Sequence, residues 1–176
     1  VNNFLSGLIL IFSRTLHEGD VIDVGNLQGV VRKISVRATT VETFDNAIIF
    51  VPNSEFVSNR LINWTRNGRI VRREVAIGVA YGTDPKLVER LLVEVAQSVP
   101  QIVRRPQPFV LFMDFADSTL NFVLRYWSDI GTATDAASAI RHRIVEVFAE
   151  HQVEIAFPQL DVHVIPQTPS LTRAEG

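Results

Sequence analysis

The periodicity of the apolar residues changes at Asn67-Gly68, and this change constrains the fold more than any other feature of the chain. Before it, short β-branched runs separated by Gly, Asn and Asp predict four or five closely spaced strands. After it, alternating runs are interrupted by two stretches with helical periodicity. The sequence therefore predicts a small all-β barrel over 19–66, an α+β domain over 67–166 and a polar tail over 167–176.

The barrel region contains one segment that is long for a single strand. Residues 30–43 alternate without a break and are rich in β-branched side chains. Because roughly 14 residues exceed the usual strand length, we expect a strongly bent strand of the kind found in small barrels. A further strand over 47–52 should end at Pro52, which has no N–H for the ladder. A last short strand is predicted over 61–65.

The second region alternates between strand and helix patterns. The predicted elements, in order strand, helix, strand, strand, helix and strand, are 69–81, 84–99, 109–115, 118–129, 133–152 and 155–165. Asp84 is a good N-cap, Pro85 suits the first helical position and Pro100 ends this helix. In the first strand, every second residue should face the core, up to Tyr81. The order βαββαβ is typical of a ferredoxin-like domain.

The chain opens with an apolar run over residues 4–12, in which seven of nine residues are large and apolar. A membrane span needs about 20 such residues, so this run is too short to cross a bilayer. It is also too apolar for the exposed end of a soluble protein, in a chain that is 47% hydrophobic. We expect a helix that lies at an interface with lipid or other subunits and outside the core of either domain. Since Val1 is followed by no signal-peptide pattern, we interpret the sequence as a piece of a longer chain.

Composition and motifs give no indication of an enzyme. The absence of cysteine excludes disulfides, thiolate metal sites and a cysteine nucleophile. The four histidines lie far apart and lack metal-ligand spacing. Neither a phosphate-binding glycine motif nor a nucleophile motif occurs. We therefore predict no catalytic residue, no metal site and no cofactor.

A basic run with an aromatic residue lies around the domain boundary: Arg60, Trp64, Arg66, Arg69, Arg72 and Arg73. Such a pattern is compatible with RNA binding. However, the net charge is −2 and the strands lack the aromatic pattern of RNA-recognition sheets. A solvated face or ion pairs between subunits is the alternative interpretation.

A set of short motifs in a fixed order carries a family resemblance. Those of the first part are Asn3-Phe4, Gly7, Phe12-x-Arg14, Gly19-Asp20, Gly29, Thr39-Thr40, Asp45 and Val51-Pro52-Asn53-Ser54. Those of the second part are Asn63-Trp64, Gly78-Val79-Ala80-Tyr81, Asp84, Leu120, Phe157-Pro158-Gln159 and Asp161-Val162-His163. From residue 1 to about 165, the chain resembles the pore-helix end and cytoplasmic domains of the MscS family of mechanosensitive channels. The Ser54-x-Phe56 motif and the run over 60–64 resemble the larger, multi-helix members.

The resemblance implies the architecture and the function. Residues 1–18 would be the cytoplasmic end of the pore helix, followed by an Sm-like β-barrel and the ferredoxin-like domain. The protein would be a homoheptamer in the cell inner membrane, with these domains on the cytoplasmic side. It would open under membrane tension and release ions and small osmolytes in hypo-osmotic shock, without a cofactor or nucleic acid. An Sm-like RNA-binding ring is the alternative.

The resemblance also implies two sets of site residues. The helix would contact membrane lipid through Phe4, Leu8, Ile11, Phe12 and Arg14. Gating and its coupling to the β-domain would depend on Asn3, Gly7, Pro52, Asn53 and Ser54. In the family, the turn at 51–54 lies beneath this helix, so we expect the Asn3 amide to bond with the side chains of Asn53 and Ser54. Gly7 lacks a side chain and so permits a close helix approach or a bend.

Overall fold

The computed structural model describes residues 2–156 and 158–159. The first half contains α1 (Asn2–Ser13), β1 (Val21–Val24), β2 (Leu27–Ile34), β3 (Ala38–Thr43), β4 (Ile48–Pro52), α2 (Asn53–Ser58) and β5 (Leu61–Asn63). The second half contains β6 (Ile70–Val79), α3 (Pro85–Ser98), β7 (Phe109–Phe115), β8 (Leu120–Asp129), a 3₁₀ turn (Ile130–Thr132) and α4 (Ala133–Glu150). In this part of the chain, every helix falls short of the length or the apolar character that a bilayer crossing requires.

The N-terminal sheet is antiparallel, with the strand order β4-β3-β2-β1-β5. The expected single bent strand over 30–43 is wrong, because the chain reverses at residues 35–37 and forms β2 and β3. The N–H of Ser35 donates to the carbonyl of Ala38 and closes this turn. The reversal lets Val31 and Val41 pair and bury both side chains completely. An alternating pattern contains no signal for such a turn when Gly and Pro are absent from it.

β4 ends at Pro52, as predicted, but the next residues form the short helix α2 instead of a turn. Pro52 is the N-cap residue of this helix, in an extended conformation. Phe56 of α2 is buried in the core of the N-terminal sheet. The helix therefore closes one end of that sheet.

The opening helix packs against α2 and shares in this core. The core side chains are Leu10, Leu16, Ile22, Val24, Val31, Val41, Val51 and Phe56. The expectation that the opening helix lies outside either domain's core is therefore wrong for one face of α1. A helix that is apolar on all sides can bury one face and still leave another exposed.

The C-terminal sheet is also antiparallel, with the order β6-β8-β7 among the described strands. β6 and β8 pair without a break from Ile70 with Asp129 to Val79 with Leu120. α3 and α4 cover one face, and their apolar residues form a second core with the inward side chains of β6 and β8. The predicted start of α3 is confirmed, because the Asp84 carboxylate accepts the N–H of Lys86 at 2.9 Å. The two cores are separate clusters.

The end of the first predicted strand and the predicted closing strand both differ from expectation. β6 ends at Val79, so Tyr81 is not part of the strand and is half exposed, with its hydroxyl donating to the carbonyl of Ala116. Ile155 forms an antiparallel bridge with Val79. The prediction is wrong for Ala156, Pro158 and Gln159, which are not in a strand, and residue 157 and residues 160–165 lie outside the described residues.

Candidate functional site

One face of α1 rests on the N-terminal sheet. Asn3, Ser6, Gly7 and Leu10 recur at intervals of three and four residues, which places them on the same side of a helix. Ser6, Gly7 and Leu10 are buried. This face meets α2 and the turn between β2 and β3.

Gly7 lies where α1 comes very close to the turn between β2 and β3 and to Asn53. A Cβ atom at this position would overlap the carbonyl oxygen of Val36 and lie 2.6 Å from Nδ2 of Asn53. A glycine inside a helix costs about 1 kcal/mol relative to alanine. The close contact explains why a glycine is present despite this cost, because a side chain at position 7 would prevent α1 from packing on the β2–β3 turn.

Asn53 lies directly beneath Gly7, with its side chain fully buried. Its Nδ2 donates to the carbonyl of Ser35 at 2.8 Å, and its Oδ1 accepts from the Thr39 hydroxyl at 2.8 Å. The expected bond between the Asn3 and Asn53 side chains is therefore absent from the described contacts. The Asn53 amide instead fastens the start of α2 to the β2–β3 turn, on which Gly7 rests.

Asn3 does contact the segment that follows β4. Its Oδ1 accepts a hydrogen bond of 3.1 Å from the backbone N–H of Ser54, rather than from the serine hydroxyl. The first N–H groups of a helix have no partner within the helix. Pro52, the N-cap residue, makes no side-chain hydrogen bond to them. Asn3 thus supplies to α2, from another helix, the acceptor that a capping side chain usually provides.

The opposite face of α1 is apolar and exposed. Phe4 and Leu5 are more than half exposed, Ile9 and Ile11 nearly half, and Leu8 is half-buried. Arg14 is exposed just after the helix, with a φ of 50°. The side chain of Phe12 lies outside the described residues. The predicted lipid-contacting residues that are described thus lie on or beside the face that the N-terminal sheet leaves uncovered.

A polar network holds the chain where it leaves α1. The Asp20 carboxylate accepts the N–H of His17 at 2.8 Å and the amide of Asn63 at 2.7 Å, and Thr65 also bonds to it. The guanidinium of Arg66 lies 3.1 Å from Nδ1 of His17. The sequence analysis did not identify this network, although Asp20 after Gly19 is a typical turn signal. It ties the end of α1 to the end of β5.

Two arginines of the basic run around the domain boundary contact different partners. Arg69 forms two hydrogen bonds of 2.9 Å with the Asp129 carboxylate, and Arg73 lies over the Trp64 ring at 5.4 Å. The bonds from Arg69, helped by the N–H of Gly131, lower the pKa of Asp129. Among the described residues, no group of three or more His, Cys, Asp or Glu side chains is arranged to hold a metal ion.

An apolar edge remains open on the N-terminal sheet. β4 is an edge strand, and its Ile48, Ile49 and Phe50 side chains are exposed, Phe50 by 72%. A long apolar edge of this kind is a template for pairing with another chain.

Comparisons with known proteins agree with this arrangement. The family model described as "Mechanosensitive ion channel, beta-domain" matches residues 1–66, and that described as "Mechanosensitive ion channel MscS, C-terminal" matches residues 74–155. An uncharacterised MscS family protein of Haemophilus influenzae is 42% identical over 92% of this chain. The mechanosensitive channel MscK of Escherichia coli is 37% identical over 92% of it. This chain spans 15% of the length of each of these two relatives.

A solved structure shares the fold. Helicobacter pylori MscS in its closed state matches with a TM-score of 0.85 and 28% identity, over 94% of this chain and 66% of that one. The two family models match in the order in which the two sheets follow each other along the sequence. The chain belongs to the MscS family of mechanosensitive channels.

Proposed function

We propose that this chain is the cytoplasmic portion of a longer channel that opens under membrane tension and releases ions and small osmolytes in hypo-osmotic shock. The names of its relatives support the activity. The observation that carries the proposal is the position of α1, which is fastened to the N-terminal sheet on one face and apolar and exposed on the other. A helix placed in this way can transmit movement between a membrane and the domain beneath it.

The exposed face of α1 lies against lipid on the cytoplasmic side of the inner membrane in this proposal. An apolar helix too short to span can lie in the interface, with its apolar face in the headgroup and acyl boundary. Phe4, Leu8, Ile11 and Phe12 would contact acyl chains, and Arg14 the headgroups. The exposure of Phe4, Ile11 and Arg14 supports this assignment.

The buried face of α1 couples the pore to the β-domain. Gly7 permits the close contact, Asn53 fixes the turn beneath it, and Ser54 bonds to Asn3. Pro52 fixes the backbone where β4 passes into α2. A gating movement that lifts α1 from the sheet must break these contacts, so their strength biases the equilibrium between closed and open states.

The channel is a homo-oligomer, and we propose a heptamer. Residues 19–66 would form an Sm-like barrel that joins its neighbours in a ring, and residues 67–166 a ferredoxin-like domain. The exposed apolar edge of β4 supports pairing between subunits. Light scattering of the full-length protein in detergent should show assemblies that Phe50→Lys weakens and that Val145→Lys, at an exposed position on α4, leaves intact. Monomers in the unmodified protein would contradict the ring.

Electrophysiology tests the proposed activity directly. The full-length protein, expressed in bacteria that lack their own mechanosensitive channels, should give pressure-activated currents in membrane patches. It should also raise survival after a sudden drop in external osmolarity. Gly7→Val should shift the pressure threshold, while Ile9→Val, on the exposed face of the same helix, should leave it in place. A protein that inserts in the membrane but passes no current under pressure would contradict the proposal.

The RNA-binding ring receives no support from the reported comparisons. It predicts salt-dependent RNA binding that weakens when Arg69, Arg72 and Arg73 are replaced. The structure gives two of these arginines local partners, Asp129 and Trp64. A filter-binding assay at low salt distinguishes the two functions.

A further inference from the structure

A cavity of about 210 Å³ lies between the two long strands of the C-terminal sheet and the start of α4. It is lined by Arg73 and Glu74 of β6, Tyr126 of β8, and Thr134 and Arg141 of α4, with small alanine side chains between them. Neither the proposed channel function nor its coupling residues involve this cavity.

Tyr126 brings an unsatisfied polar group to the cavity. Its side chain is fully buried, and its hydroxyl has no hydrogen-bond partner among residues 2–156 and 158–159. A buried hydroxyl without a partner is unfavourable, and such a group in a native fold calls for a missing water, ion or ligand. Burial raises the pKa of Tyr126, while the positive charges of Arg141 and Arg73 act to lower it. All three side chains line the same cavity.

The two arginines of the cavity lack carboxylate partners among the described residues. Arg69, Arg125 and Arg143 each pair with an acidic side chain, whereas Arg73 lies over the Trp64 ring and Arg141 is exposed. Glu74, whose carboxylate lines the cavity, already pairs with Arg125 at 3.2 Å. The cavity therefore has an excess of positive charge.

The start of α4 adds the partial positive charge of a helix N-terminus, and its first turn also contains the acidic residue Asp135. The helix has 18 residues, and its first two, Ala133 and Thr134, line the cavity. Its N-cap residue, Thr132, makes no side-chain hydrogen bond to the first N–H groups. The N-terminus of a long helix has a partial positive charge, which favours an anion.

We propose that this cavity binds a small oxyanion, a phosphate or a carboxylate, between Arg73 and Arg141 and beside the Tyr126 hydroxyl. Guanidinium groups bind both chemistries through paired, charge-assisted hydrogen bonds. A volume of 210 Å³ admits an ion of this size. The bound oxyanion could be free phosphate or the carboxylate of an osmolyte such as glutamate. Titration with each compound shows which of them binds.

Isothermal titration calorimetry of the full chain in mild detergent tests the site. Sodium phosphate and sodium glutamate serve as probes, in sodium chloride at matched ionic strength. At least one should bind, and Arg141→Gln and Arg73→Gln should each weaken it about tenfold or more, since each removes a charged donor. Tyr126→Phe should weaken it about threefold by removing one hydroxyl. Arg141 is exposed, so the Arg141→Gln variant should remain folded, as its circular dichroism melting curve would show.

Arg72→Gln is the matched control. Arg72 lies on the same strand as Arg73 but on the opposite face of the sheet, and like Arg73 it has no carboxylate partner in the described part of the chain. Binding that survives this change and fails with Arg141→Gln supports the site. No heat from either probe, an equal loss with Arg72→Gln, or unchanged affinity with Tyr126→Phe would overturn it.

Discussion

Asn3 in α1 accepts the backbone N–H of Ser54 at 3.1 Å and so caps a helix, α2, to which it does not belong. The contact joins α1 to the point where β4 passes into α2. It stabilises α2 only while α1 rests on the sheet. The two helices are therefore coupled by one identifiable hydrogen bond.

We predict that Asn3→Ala destabilises the chain by about 0.5–1 kcal/mol, since it removes one partly exposed hydrogen bond. Asn3→Asp should retain the stability, because a carboxylate oxygen accepts the same N–H and is favourable near a helix N-terminus. Urea unfolding followed by circular dichroism measures both variants. Equal losses in the two would show that the acceptor at this position does not matter.

Gly7→Ala should destabilise the protein although alanine is the better helix former. The helix propensity of alanine favours the variant by about 1 kcal/mol, but the new methyl group meets the Val36 carbonyl, which is backbone and cannot turn aside. We expect a net loss of about 1–2 kcal/mol, as in other overpacked sites. Trypsin cleavage after Arg14 should also become faster as α1 separates from the sheet.

Ser6→Ala is the control for this prediction. It also places an alanine in the same helix, next to Gly7, but it removes a hydroxyl with no described partner and introduces no overlap. It should leave the stability unchanged or slightly raised. A Gly7→Ala protein more stable than the parent would contradict the close contact at Gly7.

Leu10 and Ile9 are neighbours on α1 that should have opposite roles. Leu10 is 3% exposed in the core of the N-terminal sheet, whereas Ile9 is 45% exposed. Leu10→Ala should cost about 2–4 kcal/mol of unfolding free energy, and Ile9→Ala less than about 1 kcal/mol. Flotation with anionic lipid vesicles should show the reverse order, with weaker binding only for Ile9→Ala. Similar effects of the two changes in both assays would remove the distinction between the faces of α1.

The Arg69–Asp129 pair should give a small loss of stability in acid. Its hydrogen bonds lower the pKa of Asp129 in the folded chain, so the pair stabilises the protein above the ordinary aspartate pKa of about 3.9. This contribution is lost as the pH falls through the lowered value. Because both side chains are partly exposed, we expect only about 0.5 kcal/mol.

Asp129→Asn isolates this contribution. The parent should be more stable than the variant at neutral pH, and the difference should shrink below about pH 4. A parent–variant difference that grows in acid would contradict the assigned sign.

Local spacing was enough to predict β6, α3, β7, β8 and α4 of the second region. Asp84 and Pro85 mark the start of α3, and the apolar stripe from Val88 to Val95 marks its buried face, because a cap and a helical period depend only on near neighbours. Local spacing also explains why the sequence does not predict the turn between β2 and β3, since this turn leaves the local pattern unchanged. Ser35, Val36 and Arg37 continue the alternation of the strands, and a period of two is the same whether the chain goes straight on or turns back.

The sequence by itself determined that α1 is apolar, short and interrupted by a glycine. Only the tertiary structure decided which of its faces is buried, because this depends on Val36 and Asn53, which are distant in the sequence. The tertiary structure also decided that the Asn53 amide bonds to Thr39 and that the Ser54 N–H donates to Asn3. A side chain's type limits the hydrogen bonds it can make, but its partner is chosen by which segments packing brings within about 3 Å.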